Sequence, residues 1–201
     1  MILRHIYSHM RYLKRTFFIF ILCISLSAHT QAQKTIAVKT NIPYWATASP
    51  NLGVEVAFRH KMTFELSGGY NPFEFGNDKQ WKHWIIWPEA RYWLNETFNG
   101  HSIGLHGVFA GFDVGGLELP FNLVPELKNR RVEGNINGIG LSYGYAWIIG
   151  NSLLLEVSAG AGYGRLKYDV FTNGDNGYKT DYGQKHYIGP TKGAISLVYL
   201  F

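Results

Sequence analysis

Cysteine is almost absent from this chain, and so are long apolar runs. The single cysteine, Cys23, lies in the apolar N-terminal region, so the rest of the chain has no thiol for a disulfide, for catalysis or for a metal. After residue 32 there is no run of 18 apolar residues, and a membrane-spanning helix needs about 20. A disulfide-stapled fold and a helical membrane span are therefore both excluded for residues 33–201.

An excess of basic charge is also missing once the first 32 residues are set aside. These residues have the pattern of a secretory signal peptide: a basic start, the apolar run "TFFIFILCISLSA" and a predicted cut after Ala32. The basic start consists of Arg4, Arg11, Lys14 and Arg15. Because four of the 19 Lys and Arg residues precede the cut, 15 remain against 14 Asp and Glu. A nucleic-acid partner would require a basic stripe, so we predict none.

Residues 33–201 are predicted to form one all-β domain. Eight segments alternate apolar and polar side chains with the period of a strand, at 34–45, 52–59, 62–70, 84–94, 101–113, 133–148, 152–170 and 186–201. An exported chain without a spanning helix can cross a membrane only as a closed barrel, because lipid leaves no backbone group unpaired. The links between segments alternate short and long, as in outer-membrane barrels. We therefore predict an eight-stranded antiparallel up-and-down transmembrane β-barrel.

A soluble β-sandwich is the alternative, because its strands alternate in the same way. Aromatic residues near the segment ends, among them Trp45, Trp84, Tyr92, Trp147 and Tyr163, favour the barrel, since membrane barrels carry aromatic girdles at both interfaces. The exposed rows would then face outer-membrane lipid. The predicted location is the outer membrane.

The last segment ends in "GAISLVYLF", with Ile195, Leu197, Tyr199 and Phe201 on one face. A terminal aromatic residue that follows alternating apolar residues resembles the signal by which bacterial outer-membrane assembly machinery captures its clients. This resemblance implies that the machinery is a partner of the chain.

Charged residues fall on the opposite, inward phase of the predicted strands. This predicted lumen charge network consists of Lys39, Glu55, Glu65, Glu89, Arg91, Glu156 and Lys192. An eight-stranded barrel has an interior just wide enough for side chains to fill. Because an unpaired buried charge costs several kcal/mol, these charges should pair, and we predict a plugged lumen. A narrow channel, with the same charges as an ion path, is the alternative.

Three short patterns bear on catalysis and on metal binding. "GLSYG" at 140–144 matches the G-x-S-x-G nucleophile elbow, but the strand alternation continues through it and leaves no room for the elbow's turn. His83, His101, His106 and His186 have no i, i+2 pair, so we predict neither a metal site nor a cofactor. Glu65, Ser67 and His83 fall near one rim, and they define a weaker alternative, a lipid-modifying enzyme with base, nucleophile and orienting residue.

The stretches "KTNIPYWATASPNLGVEVAF" and "LSGGYNPFEFGNDKQWKHWIIWPEARYWLNETFNGHSIGLHGVFAG" resemble a family of uncharacterised outer-membrane barrels common in the Bacteroidota. The resemblance implies the barrel fold, the outer membrane and a link to surface appendages or envelope upkeep, with no catalytic residue to carry over. The predicted long loops mix aromatic residues with charges, which suits a protein partner as well as loops that fold back on the rim. The leading functional prediction is a structural or interaction protein of the cell envelope.

Overall fold

The structure is a computed structural model, and it describes residues 34–75, 79–116, 130–172 and 178–201. Within these ranges the chain forms nine β-strands and one short helix. The strands are β1 (Ile36–Asn41), β2 (Asn51–Arg59), β3 (Met62–Asn71), β4 (Glu74–Phe75), β5 (Lys79–Trp93), β6 (Gly100–Gly115), β7 (Arg130–Ile148), β8 (Leu153–Thr172) and β9 (Lys179–Leu200), and the helix is α1 (Ile42–Ala46). The predicted signal peptide, residues 1–32, lies outside the described residues.

Eight of these strands form one closed antiparallel ring sheet, in which each strand pairs with its neighbour along the chain. The ring closes where β1 pairs with β9, through Lys39 opposite Val198, and β3 pairs with β5, through Glu65 opposite Glu89. The two-residue β4 pairs only with β5. The prediction of an all-β chain with eight antiparallel strands is thus confirmed.

The largest differences between the strand boundaries and the predicted ones occur at three places. The first predicted segment, 34–45, is wrong beyond Asn41, because the chain turns there into α1 and Pro43 occupies its first turn. Proline is well placed in a first helical turn, since the backbone N–H that it lacks has no helical partner there. β5 and β9 begin at Lys79 and Lys179, earlier than the predicted 84 and 186, so parts of two predicted loops belong to strands.

The two faces of the ring have opposite chemistry. Large apolar side chains are exposed on the outer face, as on β2, where Leu52 is 60% and Phe58 55% exposed. The inner face buries charged side chains, among them Glu55, Glu89 and Arg91. A small apolar core of Ala37, Trp93, Phe98, Ala146, Leu154 and Val198 fills the end of the ring at the short turns. Within the described residues, no helix is long and apolar enough to cross a membrane.

Candidate functional site

Seven charged side chains from six strands meet inside the ring. They are Lys39 on β1, Glu55 on β2, Glu65 on β3, Glu89 and Arg91 on β5, Glu156 on β8 and Lys192 on β9, and we call them the ionic cluster. The side chains in its ion pairs are at most 6% exposed. The structure thus brings together every residue of the charge set that was singled out in the sequence.

Lys39 uses its whole donor capacity within the cluster. Its Nζ lies 2.5 Å from Glu55 Oε2, 3.1 Å from Glu65 Oε2 and 3.0 Å from Glu156 Oε2. An ammonium group has three N–H donors, so each of them meets a different strand. Lys39 therefore ties β2, β3 and β8 to β1 across the interior.

Arg91 on β5 forms ion pairs with the carboxylates that Lys39 contacts and also with Glu89. Its Nη2 lies 2.5 Å from Glu65 Oε2, its Nη1 lies 2.8 Å from Glu156 Oε1, and its Nε donates to Glu89 Oε1 at 3.0 Å. The planar guanidinium can do this because its donors point outward in a fixed fork. Its Nη1 also lies 3.4 Å from Glu55 Oε2, so four carboxylates share Arg91 and its loss would leave all four with fewer cations.

Hydroxyl and ammonium groups add further hydrogen bonds and ion pairs to Glu89 and Glu55. Ser142 Oγ donates to Glu89 Oε1 at 2.5 Å, Lys192 Nζ pairs with Glu89, and Thr63 Oγ1 donates to Glu55. Gly104 makes room for this arrangement, because a Cβ atom there would meet Ser142 Oγ at 2.5 Å and also Glu89 Oε1. Four carboxylates and three cations therefore fill the bore, and each of them lies in at least one ion pair, with one formal negative charge in excess.

The apolar core lies beside the cluster, at the short-turn end of the ring. Trp93 is 1% exposed, packs against Phe98 with ring centroids 5.9 Å apart, and donates from Nε1 to Thr63 Oγ1 at 3.0 Å. Thr63 in turn donates to Glu55. The apolar core and the ionic cluster are thus joined by a hydrogen-bonded chain, and together they close this end of the bore.

A small cavity lies on the other side of the cluster, next to α1. Its volume is about 40 Å³, and its lining includes Tyr44, Trp87, Ser158, Lys192 and Glu65. Trp87 Nε1 and Ser158 Oγ are buried there without a hydrogen-bond partner among the described residues. Each buried water needs about 10–15 Å³ of cavity volume, so the cavity has room for about three waters. These waters could form hydrogen bonds with Trp87 Nε1 and Ser158 Oγ.

Tyr44 of α1 lies over this cavity. Its ring packs edge-on against Trp87, with centroids 5.8 Å apart. Burial raises the pKa of Tyr44 to about 12, so its phenol ionises only at a higher pH than an exposed tyrosine does. α1 therefore contributes a neutral aromatic side chain to the lining of the cavity.

Trp87 and Trp93 offer a matched test of these hydrogen bonds. We expect Trp93→Phe to lower the free energy of unfolding by about 1–3 kcal/mol more than Trp87→Phe, because only Trp93 loses a bond to a buried partner. Urea titrations followed by far-ultraviolet circular dichroism measure both variants, and both lose the same atoms. Equal losses would contradict the absence of a protein partner for Trp87 Nε1.

The weaker catalytic set is not brought together as a reacting group. Glu65 is held by Lys39 and Arg91, and Ser67 Oγ lies 3.5 Å from the Trp87 carbonyl oxygen. Ser67 pairs with Trp87 whereas His83 pairs with Asn71, four residues further along β3. This register separates Ser67 from His83 by about 13 Å, far beyond the reach of a hydrogen bond.

The C-terminal residues lie as the strand period requires. Ile195, Leu197 and Tyr199 are on the outer face of β9, and Phe201 follows the end of that strand, 65% exposed. Ser142, the central residue of the "GLSYG" match, lies within β7 and donates to Glu89, so no nucleophile elbow forms.

Sequence reasoning missed several members of the site. Thr63 carries no motif, Ser142 was considered only as part of a nucleophile elbow, and His106 was considered only as a metal ligand. His106 is 1% exposed, and its Nε2 lies 2.8 Å from Thr191 Oγ1. The signal that could have found these residues is their inward phase next to glycines on the neighbouring strands, because glycines leave space for larger side chains opposite. Among the described residues no group of three or more His, Cys, Asp or Glu could hold a metal ion.

Comparison with known proteins adds one match. The model of the family described as "Protein of unknown function (DUF3575)" matches residues 16–201. No curated protein and no solved structure matches the chain.

Proposed function

The chain belongs to the DUF3575 family, and we propose that it is an outer-membrane β-barrel with a plugged lumen that serves as a structural or interaction protein of the cell envelope. The observation that carries this proposal is the inverted chemistry of the closed ring. Its outer face exposes apolar side chains on every side, from Leu52 on β2 to Leu141 on β7, while its bore buries the ionic cluster. Water would penalise such an exterior, whereas hydrocarbon favours it.

The height of the apolar exterior supports a membrane location. On β8 the outward residues are apolar or aromatic from Leu153 to Tyr163, and the next outward residue is Arg165. The ten steps of about 3.3 Å from Leu153 to Tyr163, at the tilt of about 40° typical of membrane barrels, span about 25 Å along the ring axis. That height equals the apolar band of outer-membrane barrels.

The filled bore supports a role other than transport. The apolar core closes one end, and Lys39 and Arg91 draw four carboxylates into the middle. Breaking such a cluster would leave buried charges uncompensated, so an ion has no low-energy path through it. The catalytic alternative loses its support, because Ser67 and His83 lie far apart.

Conductance and solubility test this proposal. We expect the purified full-length chain to require detergent or lipid for dispersal, and to show no steady large conductance in planar bilayers. Flotation of the same protein with lipid vesicles serves as the control for insertion. A steady large conductance would overturn the plugged lumen. A detergent-free monomer with native strand content would overturn the membrane location.

The interaction role is assigned to the end of the ring that carries the long connections. β7, β8 and β9 are 19, 20 and 22 residues long, more than the about 9–11 that a membrane crossing needs. We propose that these extensions and their connections contact a protein partner, in keeping with the expected link to surface appendages in Bacteroidota. Assembly into the membrane would use the outward row of β9. Co-purification from intact outer membranes tests the role, and recovery of the chain without a stable partner would oppose it.

A further inference from the structure

Two rows of polar side chains cross the outer face directly beyond its apolar band. The register of β7, β8 and β9 defines these rows. The last apolar row is Ile139, Tyr163 and Ile188, the next row is Asn137, Arg165 and His186, and the one after it is Asn135, Lys167 and Gln184. The six polar residues of the last two rows are called the polar patch. The change from apolar to polar side chains thus occurs at one level on three adjacent strands.

The polar patch carries positive charge without a carboxylate of its own. Arg165 and Lys167 are exposed, and within the described residues neither forms an ion pair. Arg165 Nη2 donates to Gln184 Oε1 at 2.6 Å, which uses one of the five N–H donors of the guanidinium group. The patch therefore presents two cations and several amide donors to whatever covers it.

The acidic residues of the next row do not neutralise these cations. Asp169 Oδ1 lies 2.8 Å from Lys179 Nζ, and Glu133 Oε2 lies 3.8 Å from Arg131 Nη2. Asp169 thus has a basic partner of its own, whereas Glu133 shares Arg131 with Asp113, which lies 2.6 Å from Arg131 Nη2. Within the described residues neither carboxylate forms an ion pair with Arg165 or Lys167, so the positive charge of these two residues stays next to the apolar band.

We propose that the polar patch binds the phosphate of an anionic lipid headgroup, with the lipid's hydrocarbon on the apolar row below it. This inference rests on the proposed function, because the band must lie in a membrane. Arg165 and Lys167 are two residues apart on one strand, about 7 Å, so both can reach one phosphate group. Phosphate oxygens accept charge-assisted hydrogen bonds from both, and guanidinium groups suit them particularly well.

The polar patch lies directly next to the apolar row, and this favours a lipid over a soluble phosphate compound as the ligand. Ile188 is 85% exposed and Tyr163 43% exposed immediately below the cations. Tyr163 also bonds His186 through its hydroxyl group, which links the apolar row to the patch. A ligand that fits both surfaces has a phosphate at one end and an acyl chain at the other.

Lipid retention by the full-length protein tests the proposal. In native mass spectrometry from detergent micelles, we expect the unaltered protein to retain phosphatidic acid in preference to phosphatidylcholine. The double variant Arg165→Gln/Lys167→Gln should bind phosphatidic acid roughly 30-fold more weakly, from about a factor of five for each basic residue near an anionic headgroup. The matched control is Arg130→Gln/Lys185→Gln, which removes two exposed basic residues outside the patch and should leave retention unchanged.

Three outcomes separate this proposal from the function on which it rests. If the patch variant retains phosphatidic acid as well as the control does, the assignment of lipid binding to the polar patch is wrong. The proposed membrane barrel is then unaffected. If millimolar inorganic phosphate displaces the lipid completely, the site binds free phosphate and the lipid assignment is wrong. If none of the proteins floats with phosphatidylcholine vesicles, the proposed membrane location is wrong. Circular dichroism of each variant checks that strand content is retained.

Discussion

Replacement of Arg91 by methionine is expected to lower the free energy of unfolding by about 3–5 kcal/mol, because it leaves four buried carboxylates facing only two lysines. Arg91 contacts Glu65 at 2.5 Å and Glu156 at 2.8 Å, and both carboxylates are 3% exposed. Methionine keeps much of the side-chain volume but none of the charge. Urea titration of the protein in detergent micelles, followed by circular dichroism, measures the loss.

Two controls separate lost charge pairing from a general effect of the substitution. Arg59→Met removes an exposed arginine from β2 and should change the free energy of unfolding by less than about 0.5 kcal/mol. Arg91→Met combined with Glu65→Gln should recover part of the stability, because one uncompensated carboxylate becomes neutral. A double variant less stable than Arg91→Met alone would contradict the role of Arg91 as the shared cation.

Gly162→Ala is expected to destabilise the ring by about 2–3 kcal/mol, near the upper end for overpacking a filled interior. A Cβ atom at this position would meet the Ile139 carbonyl oxygen and would lie 2.5 Å from Gly140 Cα. Both obstacles are backbone atoms of β7, so the strands themselves would have to move. The same urea titration measures the change.

Gly193→Ala is the matched control for this substitution. A Cβ atom at residue 193 would meet no atom within 4 Å, so alanine should be tolerated there with little change. Because both glycines lie in long strands of the ring, the pair differs in the space available for a methyl group. Equal effects of the two substitutions would show that the close approach of β7 and β8 at residue 162 does not limit stability.

The order and type of the elements could be predicted from the sequence, because a strand's side-chain period is local. Leu141, Tyr143 and Trp147 point outward for the same reason that Ser142 points inward, namely that successive residues face opposite sides. The period predicted the wrong element at the end of β1, and it placed the starts of β5 and β9 too late. At the end of β1 the alternation continues through Tyr44 although Pro43 starts a helical turn, and a two-residue period cannot distinguish the two.

The residues of the ionic cluster were predictable in the same way. Which of them form ion pairs with one another was not. Inward phase alone selects Lys39, Arg91 and Glu156, yet Glu156 lies 117 residues from Lys39 along the chain. Which inward charges meet depends on the register of every hairpin between them, and a shift by one residue would exchange the two faces.

An all-β chain of eight alternating strands with charges on one face is predictable from the sequence, because these features depend on neighbouring residues. Which side chains share a level of the ring depends on the folded ring as a whole. The tertiary structure separated Ser67 from His83, placed Trp87 and Ser158 at one cavity, and aligned Arg165 and Lys167 above the apolar band. The physical reason is that backbone hydrogen bonds between strands set the register, and register is a property of the closed ring that no single strand contains.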